Sequence, residues 1–258
     1  MSEPEEAVLY ERRGAAALIT IDRQHRRNAV DGPTAAALHE AYLRFEADEE
    51  ARVLVVTGAG GVAFCAGADL KATGTMVERL MSDEGPMGFT RLTPSKPTIA
   101  AISGFALAGG LEIALWCDLR IATEGSRLGY PERRWGVPLI DGGTQRLPRI
   151  VGMGRALDLI LTGRIIDAQE ALAMGLVTEI VPEGAHPERA LALAEGLAAF
   201  PQETMLADRR AAIEGFGMPL EQALELEAQA GPEVFAVGAV GAARFAAGEG
   251  RGGAGAGA

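Results

Sequence analysis

Short apolar segments that alternate with helical segments restrict the fold of this sequence more than any other feature. Apolar and β-branched runs predict strands in the first half of the chain, at residues 7–13, 15–21, 52–57, 98–102 and 118–123. After the second run, Asp31, Gly32 and Pro33 predict the start of a helix, because proline fits the first helical turn. Strands and helices that alternate in this way are typical of a layered α/β fold.

The second half of the chain is predominantly helical. Apolar periodicity beyond Gly142 predicts helices at residues 156–162, 167–174, 187–200, 203–214 and 219–230, with one strand at residues 176–181. We therefore predict an α/β core with the functional site over residues 1–195 and a helical region over residues 196–247. Residues 248–258 are rich in glycine and alanine and are expected to be disordered.

The overall composition argues against several classes of partner. The 258 residues carry a net charge of −11, which disfavours binding to nucleic acid and to anionic membranes. No run of about 20 apolar residues is present, and the acidic N-terminal residues lack the hydrophobic core of a signal peptide. Cys65 and Cys117 are too few for a disulfide framework and form no CxxC pair for zinc, so we expect reduced thiols in a cytoplasmic protein.

A turn of small residues follows the glycine cluster near residue 60. Residues 63–71 read Ala-Phe-Cys-Ala-Gly-Ala-Asp-Leu-Lys, and the small side chains would let a ligand approach the main chain closely. Backbone N–H groups left free in such a turn form an anion-binding concavity. An ordinary tight turn explains this segment equally well when it is considered alone.

A second segment of small residues, residues 102–112, joins a strand to a helix. Its sequence, Ile-Ser-Gly-Phe-Ala-Leu-Ala-Gly-Gly-Leu-Glu, places two glycines at the predicted start of that helix. The N-terminus of a helix carries unpaired N–H groups and the positive end of the helix dipole. Together the two turns predict two N–H donors that converge on one oxygen, as in an oxyanion hole.

Two glutamates are candidates for acid–base chemistry. Glu112 lies in the first helical turn among apolar neighbours, where a favourable interaction with the helix dipole is the alternative explanation. Glu132 precedes Arg133 and Arg134, and surface pairing with either arginine would explain it equally well. Two carboxylates that face one pocket and differ in pKa can divide the work of an acid and a base.

Other catalytic motifs are weak or absent in the sequence. Residues 58–63 match GxGxxA after a strand, but another glycine turn follows where a dinucleotide-binding helix should begin. The three histidines, His25, His39 and His186, lie outside every motif. Ser103 is not surrounded by a GxSxG elbow, so a Ser–His–Asp triad is disfavoured.

Taken in order, these segments resemble the enoyl-CoA hydratase/isomerase (crotonase) superfamily from about residue 7 to about residue 245. Residues 22–30 are similar to the first CoA-contact loop of the family. Residues 64–71 are similar to its segment F-x-A-G-A-D-[LI]-K, and residues 104–112 to its segment G-x-A-x-G-G-G-x-E. Pro131 with Glu132 and residues 142–147 also match. The resemblance implies a crotonase-like spiral of ββα units followed by a C-terminal helical region. It also implies a homotrimer or a dimer of trimers, with residues 196–247 packed between subunits.

The resemblance implies roles for individual residues as well. The N–H groups of Ala68 and Gly109 would hold the thioester oxygen of an acyl-CoA, and Glu112 and Glu132 would occupy the two catalytic positions. We expect residues 73–91 to form part of the pocket wall. The other residues implied in substrate binding are Arg26, Arg27, Ala29, Ala66, Asp69, Leu70, Lys71, Leu107, Gly110, Pro131, Val137, Asp141 and Gly142. No metal is implied, and no cofactor beyond the coenzyme A of the substrate.

The implied reaction is syn addition of water across the 2,3 double bond of a 2-enoyl-CoA. In it, Glu112 helps to deprotonate the water and Glu132 supplies the proton to Cα. The sequence departs from the family pattern at Ala108, which replaces a glycine, and at residues 137–143, where Asp141 adds a third carboxylate. The alternatives are another reaction of the superfamily, such as isomerisation, thioester hydrolysis or C–C bond cleavage, and a non-catalytic acyl-CoA-binding protein.

Overall fold

The structure, a computed structural model, describes residues 6–248 of the chain. Its strands are β1 (Val8–Arg13), β2 (Ala16–Ile21), β3 (Val53–Gly58), β4 (Ala63–Cys65), β5 (Thr98–Ile102), β6 (Phe105–Leu107), β7 (Leu119–Thr123), β8 (Arg127–Gly129), β9 (Ile165–Asp167) and β10 (Glu179–Val181). Its α-helices are α1 (Gly32–Ala47), α2 (Gly109–Trp116), α3 (Gly143–Val151), α4 (Met153–Thr162), α5 (Ala168–Ala173), α6 (His186–Ala198), α7 (Gln202–Gly215) and α8 (Leu220–Ala246). The described residues form two compact units, one up to Ala194 and the other from Glu195.

The larger sheet contains the strands that the sequence predicts. Its order is β1-β2-β3-β5-β7-β10, and every neighbouring pair is parallel except β1 and β2, which are antiparallel. Strand β3 is buried along its whole length, as expected for a continuous apolar run inside a parallel sheet. The strands predicted for the first half of the chain all belong to this sheet, and the α/β fold class is confirmed.

The smaller sheet was not predicted, because its strands are only three residues long. Its order is β4-β6-β8-β9. Strands β4, β6 and β8 are parallel neighbours, with Cys65 opposite Ala106 and Leu107 opposite Gly129. The carboxyl ends of parallel neighbours lie at one edge of a sheet. The segments that follow these three strands therefore leave the sheet side by side.

Helix α1 begins where the sequence predicts and packs its apolar face inward. Asp31 caps its N-terminus, since the Asp31 carboxylate accepts a hydrogen bond from the Thr34 N–H at 3.0 Å. Leu38, Tyr42 and Phe45 follow one another at helical spacing, and all three are buried. The helix thereby covers strands β1 and β2 and forms part of the core.

Both cysteines lie in the core of the first unit. Cys65 ends strand β4 and Cys117 follows helix α2, and both are buried free thiols. Burial raises the pKa of each thiol to about 12, which keeps them protonated and unreactive. The prediction of reduced, packed thiols agrees with this arrangement.

The helices beyond Gly142 differ from the prediction in two places. Helix α3 was not predicted, and Pro148 lies inside it. Helix α8 continues to Ala246, beyond the predicted end at residue 230, although Pro232 lies inside it. A proline removes one backbone donor and opposes a helix locally, but a helix can continue where its other hydrogen bonds and its packing persist.

The described part of the chain contains neither a membrane-spanning helix nor a cluster of metal ligands. No helix within residues 6–248 is long and apolar enough to cross a membrane. No group of three or more His, Cys, Asp or Glu side chains in the same range is placed to hold a metal ion. The tail predicted to be disordered, residues 248–258, lies outside the described residues apart from Gly248.

Candidate active site

Three segments predicted to carry chemistry leave the smaller sheet at one edge. Residues 66–69 follow β4, residues 108–112 follow β6, and residues 130–132 follow β8. The Ala108 N–H donates a hydrogen bond to the Gly129 carbonyl oxygen at 3.0 Å, which joins the second segment to the third. Pairing of three short parallel strands therefore brings distant parts of the sequence together.

The two turns of small residues meet at this edge. A Cβ atom built on Gly67, whose φ is +93°, would lie 3.0 Å from the Gly109 nitrogen. The first turn is fixed by the Gly67 carbonyl oxygen, which accepts a hydrogen bond from the Val30 N–H at 2.8 Å. Within residues 6–248, neither the Ala68 N–H nor the Gly109 N–H donates a hydrogen bond to another protein group. Two unpaired donors therefore lie on neighbouring turns.

Ala108 precedes helix α2 in a backbone conformation that is unfavourable for a residue with a side chain. Its φ is +52° and its ψ is −127°. Glycine adopts this region readily, whereas other residues do so at a cost of about 1–3 kcal/mol. The strained residue lies directly before Gly109, so the surrounding structure enforces the conformation that presents the unpaired N–H.

Glu112 is buried in the first turn of helix α2. Its side chain is 2% exposed, and Oε1 accepts hydrogen bonds from the N–H groups of Asp141 at 3.0 Å and Gly143 at 2.7 Å. Burial raises the pKa of Glu112 to about 8, and the Asp141 carboxyl adds to the rise, although the two N–H donors oppose it. A glutamate that only favours the helix dipole from the surface does not fit this environment.

Glu132 is also buried, but nothing holds its carboxyl group. It lies in the 3-10 helix Pro131–Trp135 that follows β8, and it is 5% exposed. Neither Oε1 nor Oε2 accepts a hydrogen bond from any residue in the described part of the chain, Arg133 and Arg134 included. Burial raises the pKa of Glu132 to about 7. The alternative of a surface ion pair is therefore wrong.

Both glutamates line one cavity of about 400 Å³. Its wall is mainly apolar, and the acidic groups in it are those of Glu112, Glu132 and Asp141. The apolar side chains of the wall include Met76, Val77, Leu80, Met87, Leu139 and Ile140. The first four belong to the segment predicted to form the pocket wall. An apolar cavity into which a few polar groups converge is typical of a small-molecule site.

Asp141 joins two sides of the cavity. Its Oδ1 accepts hydrogen bonds from the Met87 N–H at 3.0 Å and from the Thr90 hydroxyl. Its own N–H donates to Glu112 Oε1. Burial raises the pKa of the Asp141 carboxyl, while these two hydrogen bonds to it oppose the rise. Asp141 therefore links the segment around Met87 to the carboxylate of Glu112.

Comparison with known proteins identifies the family. The family model described as enoyl-CoA hydratase/isomerase matches residues 11–246. The chain belongs to the enoyl-CoA hydratase/isomerase family. A short-chain-enoyl-CoA hydratase from Clostridium acetobutylicum is 38% identical over 232 residues, which cover 88% of this chain and 89% of that protein. An (E)-benzylidenesuccinyl-CoA hydratase from Thauera aromatica is 38% identical over 212 residues, which cover 81% of this chain and 82% of that protein.

Solved structures agree with this assignment. The crystal structure of enoyl-CoA hydratase EchA1 from Mycobacterium marinum matches this chain with a TM-score of 0.88 at 37% identity, covering 94% of this chain and 96% of that one. The crystal structure of an enoyl-CoA hydratase from Bacillus anthracis matches with a TM-score of 0.83 at 35% identity. The match covers 89% of this chain and 91% of that one. The predicted crotonase-like fold is therefore confirmed.

The cavity wall contains many of the predicted site residues. Those in the wall are Ala66, Ala68, Leu70, Leu107, Gly109, Glu112, Pro131, Glu132, Val137 and Asp141. Those outside it are Arg26, Arg27, Ala29, Asp69, Lys71, Gly110 and Gly142. Contacts of the second group with coenzyme A stay predictions, because such a long ligand extends beyond one cavity.

Asp69 has a partner within the protein. Its Oδ2 lies 3.3 Å from Nη2 of Arg23, which also lies 2.8 Å from Oδ2 of Asp31. Asp69 Oδ1 accepts a hydrogen bond from the Lys71 N–H at 3.0 Å. This network fixes the end of the first turn against the start of helix α1. The sequence did not single out Arg23, since no motif distinguishes it from Arg26 and its neighbours.

Gly110 has a packing role that the structure makes visible. A Cβ atom built on it would lie 2.0 Å from the Cys65 carbonyl oxygen. Helix α2 therefore approaches the end of strand β4 so closely that only glycine fits. The close approach brings the two turns of the site together.

One residue at the site was not predicted. Tyr130 connects strand β8 to Pro131, and its side chain is fully buried. Its hydroxyl oxygen has no hydrogen-bond partner among the described residues. A single tyrosine before a proline is equally typical of an ordinary core position, so the sequence contains no signal that marks it.

Proposed function

We propose that this hydratase/isomerase adds water across the 2,3 double bond of 2-enoyl-CoA thioesters with small or medium apolar acyl groups. The observation that carries the proposal is that Glu112 and Glu132, both buried, line one apolar cavity beside two unpaired backbone amides. Relatives named enoyl-CoA hydratase or crotonyl-CoA hydratase are 35–38% identical over most of the chain. They support the general hydratase activity, that of a hydro-lyase, which the sequence predicts.

The N–H groups of Ala68 and Gly109 are proposed to bind the thioester oxygen. When water attacks C3, the π electrons of the double bond move toward the carbonyl, and negative charge develops on this oxygen. Two fixed N–H donors stabilise that charge without reorganisation, and a mutational loss of one such donor typically costs about 10²–10³-fold in rate. Backbone donors also avoid the entropy loss of a flexible side chain.

The two carboxyl groups are proposed to move the protons. Glu112, as the carboxylate, accepts a proton from the water while the C3–O bond forms. Glu132, as the acid, gives its proton to Cα of the enolate, which closes the C–H bond. Water is thereby added, and the pair ends with the proton on Glu112 instead of Glu132. Return of that proton restores the starting state.

Hydrogen bonding favours this distribution of charge. Glu112 accepts two backbone N–H bonds, which stabilise its ionised form, whereas Glu132 accepts none. Burial raises the pKa of Glu112 to about 8 and that of Glu132 to about 7, so the pair holds a single proton near neutral pH. The order of these two pKa values alone would put that proton on Glu112. We assign the charge to Glu112 because it accepts two N–H bonds and Glu132 accepts none. A single shared proton is what an acid and a base of this kind require.

The coenzyme A part of the substrate is proposed to extend along the first turn. Ala66, Ala68 and Leu70 line the cavity. The Ala66 N–H donates to the Arg27 carbonyl oxygen at 3.1 Å, and Arg26 Nε lies 3.9 Å from Asp69 Oδ2, so Arg26, Arg27 and Lys71 are proposed as the cations for the phosphates. Arg27 is held with its guanidinium 5.4 Å from the centroid of the Phe105 ring. Coenzyme A would enter only as part of the substrate, and we propose no metal or further cofactor.

A different reaction of the superfamily has less support than the sequence alone gave it. That alternative rested on Asp141 as a third carboxylate. In the structure, Asp141 Oδ1 is occupied by the Met87 N–H and the Thr90 hydroxyl. A carboxylate engaged in this way is better suited to holding the cavity wall than to taking a proton from the substrate.

We also propose the assembly and location that the resemblance implies. A homotrimer or a dimer of trimers would use the helical region, residues 196–247, between subunits, and the protein would act in the cytoplasm. Light scattering of the purified protein checks the assembly, because a monomer would contradict it. Fractionation of the source cells checks the location, because recovery with membranes would contradict it.

A panel of enoyl-CoA substrates tests the proposed reaction. Loss of the absorbance of the conjugated thioester measures hydration for acyl chains of increasing length. We expect turnover of crotonyl-CoA and of longer chains until the cavity of about 400 Å³ is filled. Glu112→Gln and Glu132→Gln should abolish most of this turnover, while Glu50→Gln, which changes an exposed glutamate, should not. Binding of acyl-CoA without turnover of any substrate in the panel would refute the proposal and favour the non-catalytic alternative.

A further inference from the structure

Tyr130 places an unpartnered hydroxyl group beside the acid–base pair. The side chain is 0% exposed, and Oη makes no hydrogen bond with any residue that the structure describes. A buried hydroxyl without a partner is unfavourable, and phenylalanine would fill the same space without that cost. The hydroxyl therefore needs an explanation beyond packing.

The position of Gly143 shows what this hydroxyl faces. A Cβ atom built on Gly143 would lie 2.6 Å from Tyr130 Oη and 2.9 Å from Glu112 Oε1. Both oxygens are thus close to one point beside Gly143, which has no side chain to occupy it. Glu112 Oε1 already accepts the N–H groups of Asp141 and Gly143, so this oxygen is the one held in place.

The charged groups around the hydroxyl come from three elements. Glu112 faces it from helix α2, Glu132 from the 3-10 helix after β8, and Arg146 from helix α3. Burial raises the pKa of Tyr130 well above its usual range, and the two glutamates add to the rise, whereas Arg146 opposes it. The hydroxyl therefore stays protonated near neutral pH and can act only as a neutral donor or acceptor.

We propose that Tyr130 is a positioning residue of the acid–base pair: in the substrate complex its hydroxyl donates a hydrogen bond that stabilises ionised Glu112 and leaves the proton on Glu132. The proposal rests on the hydration reaction proposed above. Tyr130 is not part of the cavity wall, so it acts through Glu112 and not on the substrate. Catalytic hydrogen bonds are often long in a free enzyme and shorten in the complex, which fits a donor poised next to a carboxylate.

Two matched tyrosine variants test the proposal. Tyr130→Phe removes the hydroxyl and keeps the ring that fills the core. Tyr10→Phe removes another buried hydroxyl that has no hydrogen-bond partner in the described residues, but on strand β1 of the larger sheet. The two variants lose the same chemical group, so any difference between them reports the neighbourhood of Tyr130 and not the loss of a buried hydroxyl as such.

The pH dependence of kcat for crotonyl-CoA is the decisive measurement, because kcat reports the pKa values of the substrate complex, in which the proposed hydrogen bond forms. Without its donor, ionised Glu112 is less stable, so its pKa rises and the acidic limb of the profile moves to higher pH. We expect a shift of about one pH unit and a loss of about tenfold in kcat at pH 7 for Tyr130→Phe. KM should stay within about twofold, since Tyr130 does not contact substrate. Tyr10→Phe should change none of these values.

A second measurement separates positioning from a structural effect. In a Glu112→Gln background, Tyr130→Phe should shift the residual pH profile no further, because the group that it influences is gone. An acidic limb that stays in place in Tyr130→Phe, or one that moves equally in both backgrounds, would overturn the role of Tyr130 while leaving hydration intact. Absence of hydration by the unaltered protein would instead overturn the proposed function, and this inference with it.

Discussion

Glu112 and Glu132 line the same cavity, but their carboxyl groups differ in their hydrogen-bond partners. Glu112 lies in a regular helix, and two backbone N–H groups fix one of its oxygens. Glu132 lies in a 3-10 helix, and neither of its oxygens has a partner in the described part of the chain. A fixed carboxylate suits a base that must orient one water, because alignment determines proton transfer. A free carboxyl suits an acid that must reach the carbon of a substrate.

The two glutamates also differ in the free-energy cost of burying their carboxyl groups. Burying a carboxyl group without hydrogen bonds is unfavourable, and the group responds by keeping its proton. Glu132 avoids most of that cost as the neutral acid, whereas Glu112 has donors that stabilise its charge. Burial raises the pKa of both groups, so the proposed base and acid are told apart by their hydrogen bonds, two for Glu112 and none for Glu132 in the described residues.

Replacement of the fixed carboxylate should have the largest effect. Glu112→Gln keeps the shape and an oxygen that can accept the two N–H bonds, but it removes the base. We expect kcat for crotonyl-CoA to fall by about 10³-fold or more, with a small change in KM. Steady-state kinetics measure this, and circular dichroism controls for folding. A variant that retains a tenth of the activity would refute the role of Glu112 as the base.

Replacement of the free carboxyl group should have a smaller effect. Glu132→Gln removes the proton donor to Cα, and solvent can replace part of its function because no protein group fixes it. We expect a loss of about 10²-fold in kcat. Incorporation of deuterium at Cα from heavy water should slow in parallel with hydration. Unchanged activity in this variant would contradict the acid role.

The pH dependence should report the single proton that the pair shares. Below about pH 7 both carboxyl groups become protonated and the base is lost, and above about pH 8 both become ionised and the acid is lost. Activity should therefore be highest between these values and fall by about tenfold per unit on each side. Measurement of kcat/KM from pH 5 to 10 checks this. A profile that is flat from pH 5 to 7 would contradict the raised pKa values of the pair.

Loss of the Asp141 side chain should leave the Glu112 carboxylate less firmly fixed, as the Glu132 carboxyl already is. Asp141→Ala removes the oxygen that binds the Met87 N–H and the Thr90 hydroxyl, so the loop that holds Glu112 loses its anchor. We expect kcat to fall by about tenfold, because small displacements of catalytic groups are costly. Asp141→Asn retains the acceptor oxygen and serves as the control, with a change of less than about threefold. Equal losses in the two variants would indicate instead that the charge of Asp141 takes part in the reaction.

Relief of the strain before helix α2 should have the smallest effect. Ala108 has a φ of +52°, so Ala108→Gly should raise the free energy of unfolding by about 1 kcal/mol. Urea denaturation measures the change. Ala106→Gly, in strand β6 just before it, is the matched control and should lower the stability by about 0.5–1 kcal/mol or more. A loss of stability in Ala108→Gly would show that the methyl group contributes more than the strained backbone costs.

The larger sheet could be predicted from the sequence, and the smaller one could not. Strands of five or six residues with β-branched runs, such as β2 and β3, give a clear apolar pattern. Strands β4, β6 and β8 have three residues each, too few to show a period of two. Their pairing depends on contacts between residues far apart in the chain, which local patterns do not record. The sheet that carries the site was therefore the part that the sequence left out.

The candidate site was predictable where motifs carry it. Glu112, Glu132 and the two turns were found because small residues and acids recur in a known order. The partners of Asp141 were not, because Met87 and Thr90 lie about fifty residues earlier in the chain and reach it only through the fold. The same holds for Tyr130, whose environment is formed by residues from two other helices.

The alkylation rates of the two buried thiols can report local opening of the folded protein. A thiol reacts with an alkylating reagent only as the thiolate, and burial keeps both cysteines protonated in the folded state. Labelling therefore requires opening of the surrounding structure. Cys65 ends a strand of the smaller sheet, and Cys117 lies between helix α2 and strand β7 of the larger one. The ratio of the two labelling rates would compare opening around the smaller sheet, at Cys65, with opening around the larger sheet, at Cys117. No added probe is needed.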